Sequence, residues 1–302
     1  MLYTYALIAA CLIGLGFVLQ QHAAEQAPQA DMLSYRLLLD LVRIPVWLWG
    51  MGCMVAGQIF SVLALARGDL SHVEPLLATN LLFAMALARW RGGQRLGLSG
   101  WTGVLLLSGG VAAFIVAGRP EGGSAAEISA LRHWLVFGSV VGAALVLVAV
   151  ARHLQIVKEP PLLAAAAGLL YGLQDALTRT SSGIWSDSGF TGLVTSWEPY
   201  AIVAVAVTGL LLVQSAFEVG PLRMSLPALT AAEPLAGIAC GIGFLGDRLR
   251  VTPAALAGQV IGLIAVVTGV FVLGRHPTMP TGSGGRGAAG GRPGRGRAEL
   301  RE

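Results

Sequence analysis

The sequence predicts an all-α polytopic membrane protein, with about nine transmembrane helices in two inverted four-helix repeats joined by one linking helix. Three observations predict it. The 302 residues are 55% hydrophobic and only 12% charged, with a mean hydropathy of +0.71, far from a soluble domain. Apolar runs approaching the about 20 helical residues that a hydrocarbon core of roughly 30 Å requires recur along the chain. An ordered self-similarity links the two halves at an offset of 152 residues.

The first span runs from Leu2 to Gln20. No basic stretch precedes it, so it reads as a retained helix and not as a signal peptide. Within the connection to Ile44, Met32 to Val42 has the apolar spacing of an amphipathic helix at the membrane surface, with Asp40 and Arg43 on its solvated side. The second span, about Val46 to Ala66, opens with Trp47 and Trp49, residues that favour the headgroup level. The third, about Val73 to Ala88, carries Asn80 and begins with Glu74 and Pro75, where a proline and an acid suit a helix N-terminus. The fourth is Trp101 to Ala117, and the first repeat is bounded at residues 1–118.

Residues 119–161 form a linker around the fifth span, Trp134 to Ala151. The second repeat occupies residues 162–276. Its first span, Leu162 to about Leu177, has Gln174 and Asp175 near its end, and Thr178 to Pro199 reads as a long connection. The seventh span is about Tyr200 to Phe217, the eighth starts at Met224, and the ninth is about Ala254 to Leu273. Residues 277–302 are a Gly/Arg-rich tail, too polar to pack and expected to be disordered.

The eighth span organises the rest. Met224 to Leu245 (MSLPALTAAEPLAGIACGIGFL) places one acid, Glu233, near mid-span, followed at once by Pro234. An ionised carboxylate in hydrocarbon costs at least about 2.5 kcal/mol, so an intramembrane acid is a functional candidate by default. Pro234, with Pro227 and Pro75, is expected to break the helical ladder, and such breaks build binding sites where protein or water satisfies the freed carbonyls. A structural, hydrogen-bonded Glu233 is the plain alternative. The three cysteines, Cys11, Cys53 and Cys240, lie in apolar spans without metal or disulfide spacing, and the five histidines are scattered.

The repeat pairs Gly57 with Gly209, Ala64 with Ala216, Gly68 with Gly220, Leu70 with Leu222, Pro75 with Pro227 and Leu77 with Leu229. After one inserted residue, Gly93-Gln94-Arg95-Leu96 meets Gly246-Asp247-Arg248-Leu249. Four helices plus one linker must invert the second copy, and Asn80 falls one residue from Glu233 in the alignment. Lys/Arg counts of 14 against six put the N-terminus outside and the tail in the cytoplasm of a multi-pass plasma-membrane protein, six of the 14 lying from Arg275 onward.

These residues resemble the drug/metabolite transporter superfamily, of the EamA-like kind. The resemblance rests on Ala64 to Leu70 leading into Pro75, on Ser215 to Leu222 leading into Pro227, and on Glu233-Pro234 through Gly246-Asp247-Arg248-Leu249, where Asp247 stands for the usual Glu. The nine-span layout and Pro45 to Gly57 are similar to NIPA-type magnesium transporters, a group that commonly has Glu where this chain has Gln58. The resemblance implies a carrier whose substrate lies near the midplane.

The residues then favour a secondary transporter of a small metabolite or drug-like solute, proton-coupled through Glu233, with Asn80, Gln58, Gln174 and Gln214 giving neutral hydrogen bonds. Each amide taken alone reads equally as a helix–helix contact. The alternative is a magnesium or divalent-cation permease ligated by Glu233 with Asp175 or Glu74. A non-transporting receptor or scaffold is a third class. No catalytic constellation stands out, so an enzyme and a cofactor are not expected, nor is nucleic acid as a partner. The partners expected are a small molecule or ion and the lipid bilayer, and a homodimer is left open.

Overall fold

The computed structural model describes residues 2–26, 33–65, 73, 76–90, 97–119, 129–153 and 160–274. Glu74, Pro75, Gly93 and the Gly/Arg-rich tail lie outside the described residues. The described chain is nearly all helical. In order come α1 (Leu2–Ala24), α2 (Tyr35–Val42), α3 (Pro45–Leu65), α4 (Asn80–Trp90), α5 (Leu98–Gly118) and α6 (Ala130–His153). They are followed by α7 (Pro160–Thr195), α8 (Glu198–Val219), α9 (Leu222–Cys240), a π-helical turn (Gly241–Leu245) and α10 (Pro253–Gly274).

Seven of these helices are long and apolar enough to cross a membrane: α1, α3, α5, α6, α8, α9 with its π turn, and α10. The expectation of nine adds α4 and α7. α4 has only 11 described residues, and α7 carries Gln174, Asp175 and Arg179 within its run. The seven leave broad apolar faces uncovered. α10 exposes Val260, Ile261, Ile264, Val267 and Phe271, and α6 exposes Leu131, Trp134, Leu135, Leu145 and Val146. Contiguous surfaces of this kind belong against lipid.

Helix neighbours and directions follow from where glycines let backbones touch. A Cβ on Gly110 of α5 would sit 2.7 Å from both Gly262 O and Val266 N of α10. At Gly269 of α10 it would meet Leu107 N at 2.7 Å and Gly103 O at 2.8 Å. Numbers that rise on one helix and fall on the other make α5 and α10 antiparallel. Small residues at a crossing are what lets helices associate without a hydrophobic drive between them. Gly110→Leu or Gly262→Leu is therefore expected to cost about 3 kcal/mol or more, since backbone cannot move aside as a side chain does. A fall in melting temperature on detergent-solubilised protein checks it.

α1 packs antiparallel to α3, through Gly16 against Gly50 and Met54, and Gly57 against Ala9 and Ile13. α7 packs antiparallel to α8, through Gly209 against Tyr171 and Gly220 against Pro160. α7 and α9 run parallel: Gly168 lies on Leu229 and Glu233, and Gly172 on Glu233 and Gly237. Helix α2 is the expected surface helix, eight residues long. Ser34 caps it by accepting from Arg36 N, Leu37 and Leu41 are buried, and Tyr35 and Leu39 face out. The Leu33 N–H donates to Ser215 Oγ at 3.1 Å and ties α2 to α8. Asp40 and Arg43 form the exposed pair expected of them.

Three expectations are corrected. Thr178 to Pro199 is not a loop; α7 continues to Thr195, and α8 starts at Glu198. Thr178, Thr180 and Ser186 turn their hydroxyls back onto the helix, donating to Gln174 O, Ala176 O and Ser182 O, instead of competing with the helical ladder. Gly189 (φ 64, ψ −158) is not helical, so the run is two helices joined at a kink; the first, residues 160–188, is about 43 Å long and already outruns the hydrocarbon core of roughly 30 Å. Pro227 and Pro234 do not break α9, which runs helically through both. The departure from α-geometry comes later, in the π turn. Trp47 is 5% exposed and faces the bundle, which removes it from the headgroup level expected of it, whereas Trp49 is 72% exposed.

Candidate functional site

Glu233 lies half-way along the apolar run Leu222–Leu245 and is half-buried. Its place is set by glycine. A Cβ on Gly172 would fall 2.5 Å from Glu233 O and 2.4 Å from Gly237 N, so only glycine lets α9 press against α7 here. Asn80 is held in the same way. A Cβ on Gly14 of α1 would fall 2.7 Å from Asn80 O and 2.9 Å from Ala84 N.

The two contacts correspond residue by residue. Asn80 and Ala84 stand to Glu233 and Gly237 at one offset, 153. Gly57 touches Ile13, the residue before Gly14, as Gly209 touches Tyr171, the residue before Gly172. The sequence alignment placed Asn80 one residue away from Glu233; the packing removes that residue. The structure also brings α4 and α9 into contact.

Around Glu233 the chemistry runs in a column along α7. Tyr171, half-buried, is within electrostatic reach of Glu233 across the α7–α9 seam. One turn on, Asp175 is within reach of Cys240. One turn further, Arg179 donates through Nη1 to Asp247 Oδ2 at 2.7 Å and through Nη2 to Oδ1 at 3.1 Å. Asp247, the residue standing where the family resemblance has Glu, is thus a structural acid that fastens the chain after the π turn to α7. Bidentate Arg–carboxylate pairs are among the stronger charge-assisted bonds.

The amides divide. Asn80, Gln174 and Gln214 each bury a side-chain carbonyl oxygen that accepts no hydrogen bond from the described residues. Leaving such an acceptor unmet costs about 1–3 kcal/mol. Gln214 also donates through Nε2 to Gln20 Oε1 at 2.7 Å, and both residues are almost fully buried. Gln58 is exposed on α3, a helix that packs chiefly on α1. Asp175 is exposed, while Glu74 and Pro75 lie outside the described residues. Among the described residues no group of three or more His, Cys, Asp or Glu could hold a metal ion.

Sequence reasoning missed Gln20, Tyr171 and Arg179. Each had a faint signal. Gln20 is a polar residue closing an apolar span, and Tyr171 and Arg179 flank Asp175 at i−4 and i+4, on one helix face.

The chain is 29% identical over 283 residues to an uncharacterised protein of Corynebacterium glutamicum, covering 92% of this chain and 96% of that one. It is 34% identical over 110 residues to ArnE of Pseudomonas fluorescens, a probable 4-amino-4-deoxy-L-arabinose-phosphoundecaprenol flippase subunit. That match covers 36% of this chain and 92% of the subunit. No family model matches, and no solved structure matches.

Proposed function

We propose that this chain, which belongs with the membrane proteins of drug/metabolite-transporter type, is a secondary carrier that moves a small metabolite or drug-like solute by alternating access. Glu233 is the group that takes and gives the coupling proton. The observation that carries this reading is the matched seating of Asn80 and Glu233, each against a glycine of the first helix in its own half. Two halves with equivalent central contacts, an antiparallel α5–α10 pair and a single linking helix support the inverted-repeat arrangement in which cargo binds at the midplane. α4 and α7 then complete nine crossings from inside the bundle, where a less apolar helix meets protein instead of lipid.

The match to ArnE adds weight on two sides. A subunit covered along 92% of its length by 36% of this chain is about the size of one repeat. What that protein is said to carry favours a second reading of the cargo, a lipid-linked amphiphile drawn in sideways from the bilayer. The magnesium alternative has less to rest on: Gln58 is exposed on α3, and among the described residues no three His, Cys, Asp or Glu are grouped to hold a metal ion. No bond-breaking step belongs to this proposal.

The test is flux into liposomes containing the purified protein and a pH-sensitive dye. Solutes offered outside are expected to move protons when they are cargo, and Glu233→Gln is expected to remove that signal. Saturable Mg²⁺ uptake lost in Glu233→Gln would instead make Glu233 a cation ligand and overturn the organic-solute reading.

A further inference from the structure

One guanidinium in this fold has two carboxylates within electrostatic reach. Arg179 is bound bidentate to Asp247, yet Asp175 lies one turn earlier on the same face of α7 and within its electrostatic reach. Asp247 is closely held, with its side chain 6% exposed against 51% for Arg179. Its N–H donates to Gly241 O at 3.1 Å, and its Oδ2 lies so close over Gly241 that a Cβ there would meet it at 2.5 Å. Directly before Gly241 is Cys240, 0% exposed.

The element under this clasp is already off the α-helical ladder. Gly241–Leu245 is π-helical, and Gly246 closes it at φ 68. Arg132 of α6 takes up its Ile242 carbonyl at 2.8 Å, and His133 meets Phe244 edge-on with ring centroids 4.8 Å apart. π-helical turns are rare and are found frequently at functional sites; this one ends α9.

We propose that Arg179 is a positioning residue shared by Asp247 and Asp175, and that proton loss from Asp175 draws it off Asp247 and opens the end of the α7–α9 seam. With Asp175 protonated, Arg179 has one anionic partner, and the clasp stays closed as the structure has it. With Asp175 ionised, an i,i+4 ion pair competes for the same guanidinium. Linkage makes the effect reciprocal: whatever frees Arg179 from Asp247 favours ionised Asp175. The other charged and titratable groups on elements packed against this part of α7 are Glu233 and Cys240 on α9, Arg132 and His133 on α6, and Glu198 and Tyr200 on α8, with Tyr171 on α7 itself. Of these, Arg132 is already engaged with the π turn, and Glu233 lies about two turns away along the seam.

The proposal takes its purpose from the carrier reading, since a proton-controlled gate above Glu233 would set when that residue is reachable from this end. Its test needs no solute, so the two can fail separately. The native Cys240 is the reporter. Protein with Cys11 and Cys53 replaced by alanine is placed in lipid nanodiscs, open on both faces, and labelled with a membrane-impermeant maleimide at acid and alkaline pH. Each rate is divided by that of the same protein unfolded at the same pH, which removes the pH dependence of an exposed thiol, so that what remains reports how often Cys240 is uncovered. The corrected rate is expected to rise about tenfold from acid to alkaline, within the roughly 5–150-fold usual for coupled sites. Asp175→Asn is expected to stay slow at both, and Asp247→Asn to label fast at both. If Asp247→Asn does not fold, Asp175→Asn decides alone. An unchanged pH dependence in Asp175→Asn, or a parent protein whose Cys240 labels equally at both pH values, overturns the proposal.

Discussion

Gly172→Leu is expected to leave no correctly folded protein, whereas Gly138→Leu on α6 is expected to be tolerated. The contrast lies in what each new Cβ meets. At Gly172 it would meet Gly237 N at 2.4 Å and Glu233 O at 2.5 Å, both backbone, with the Ala236 methyl at 2.6 Å. None of these atoms can rotate away, so the two helices must separate along the whole seam. At Gly138 nothing stands within 4 Å. Overpacking a close contact ordinarily costs about 1–3 kcal/mol and sometimes more. Here it acts on backbone at the centre of the molecule, and such proteins hold only about 5–15 kcal/mol in all. Gly14→Leu should behave like Gly172→Leu, because its Cβ meets Asn80 O and Ala84 N in the same way. Monodisperse elution and a cooperative melt, read for all three variants beside the parent, check the set. A stable Gly172→Leu protein would mean that α7 and α9 do not pack as described.

How far the fold was legible depended on the signal each element carries. The seven lipid-length helices were legible because hydropathy acts residue by residue and needs no neighbour. α7 was cut short at Leu177 because Thr178, Ser181, Ser182, Ser186 and Ser188 look like a linker in a sequence. The hydroxyls of Thr178 and Ser186 return to the helix's own carbonyls, which composition does not display. Pro234 was read as a break by rule, yet the departure from α-geometry falls at Gly241–Leu245, where Arg132 reaches across from α6. At the site, Glu233 and Asn80 were legible as polar residues within apolar runs. Arg179 was not, since its partner Asp247 is 68 residues away. The polarity of Gln58 is visible, but nothing in the sequence says which face of α3 is left uncovered, and the structure leaves Gln58 exposed.

Moving the acid from one half to the other is expected to separate Glu233's chemistry from its address. Glu233→Gln alone should abolish solute-driven proton movement, a loss of about a hundredfold or more, since general acid–base roles are typically worth 10²–10⁴-fold. The amide keeps the volume and the hydrogen-bonding edge of the carboxyl while losing the exchangeable proton. If Asn80 and Glu233 hold equivalent places in an inverted pair, then Asn80→Glu combined with Glu233→Asn should restore a measurable part of the coupled flux. The restored acid would face the same centre from α4, against Gly14 in place of Gly172. Recovery will be incomplete, because Ile13 stands in the first half where Tyr171 stands in the second, so the transplanted acid lacks the phenol that Glu233 has within reach. Adding Ile13→Tyr should therefore raise the flux of the double variant while doing little in the parent. Those four proteins, measured at equal folded amounts, test the equivalence directly. A double variant as inactive as Glu233→Gln, with an intact melt, would show that the two seats match in packing but not in chemistry, and that only the α7–α9 half carries the proton.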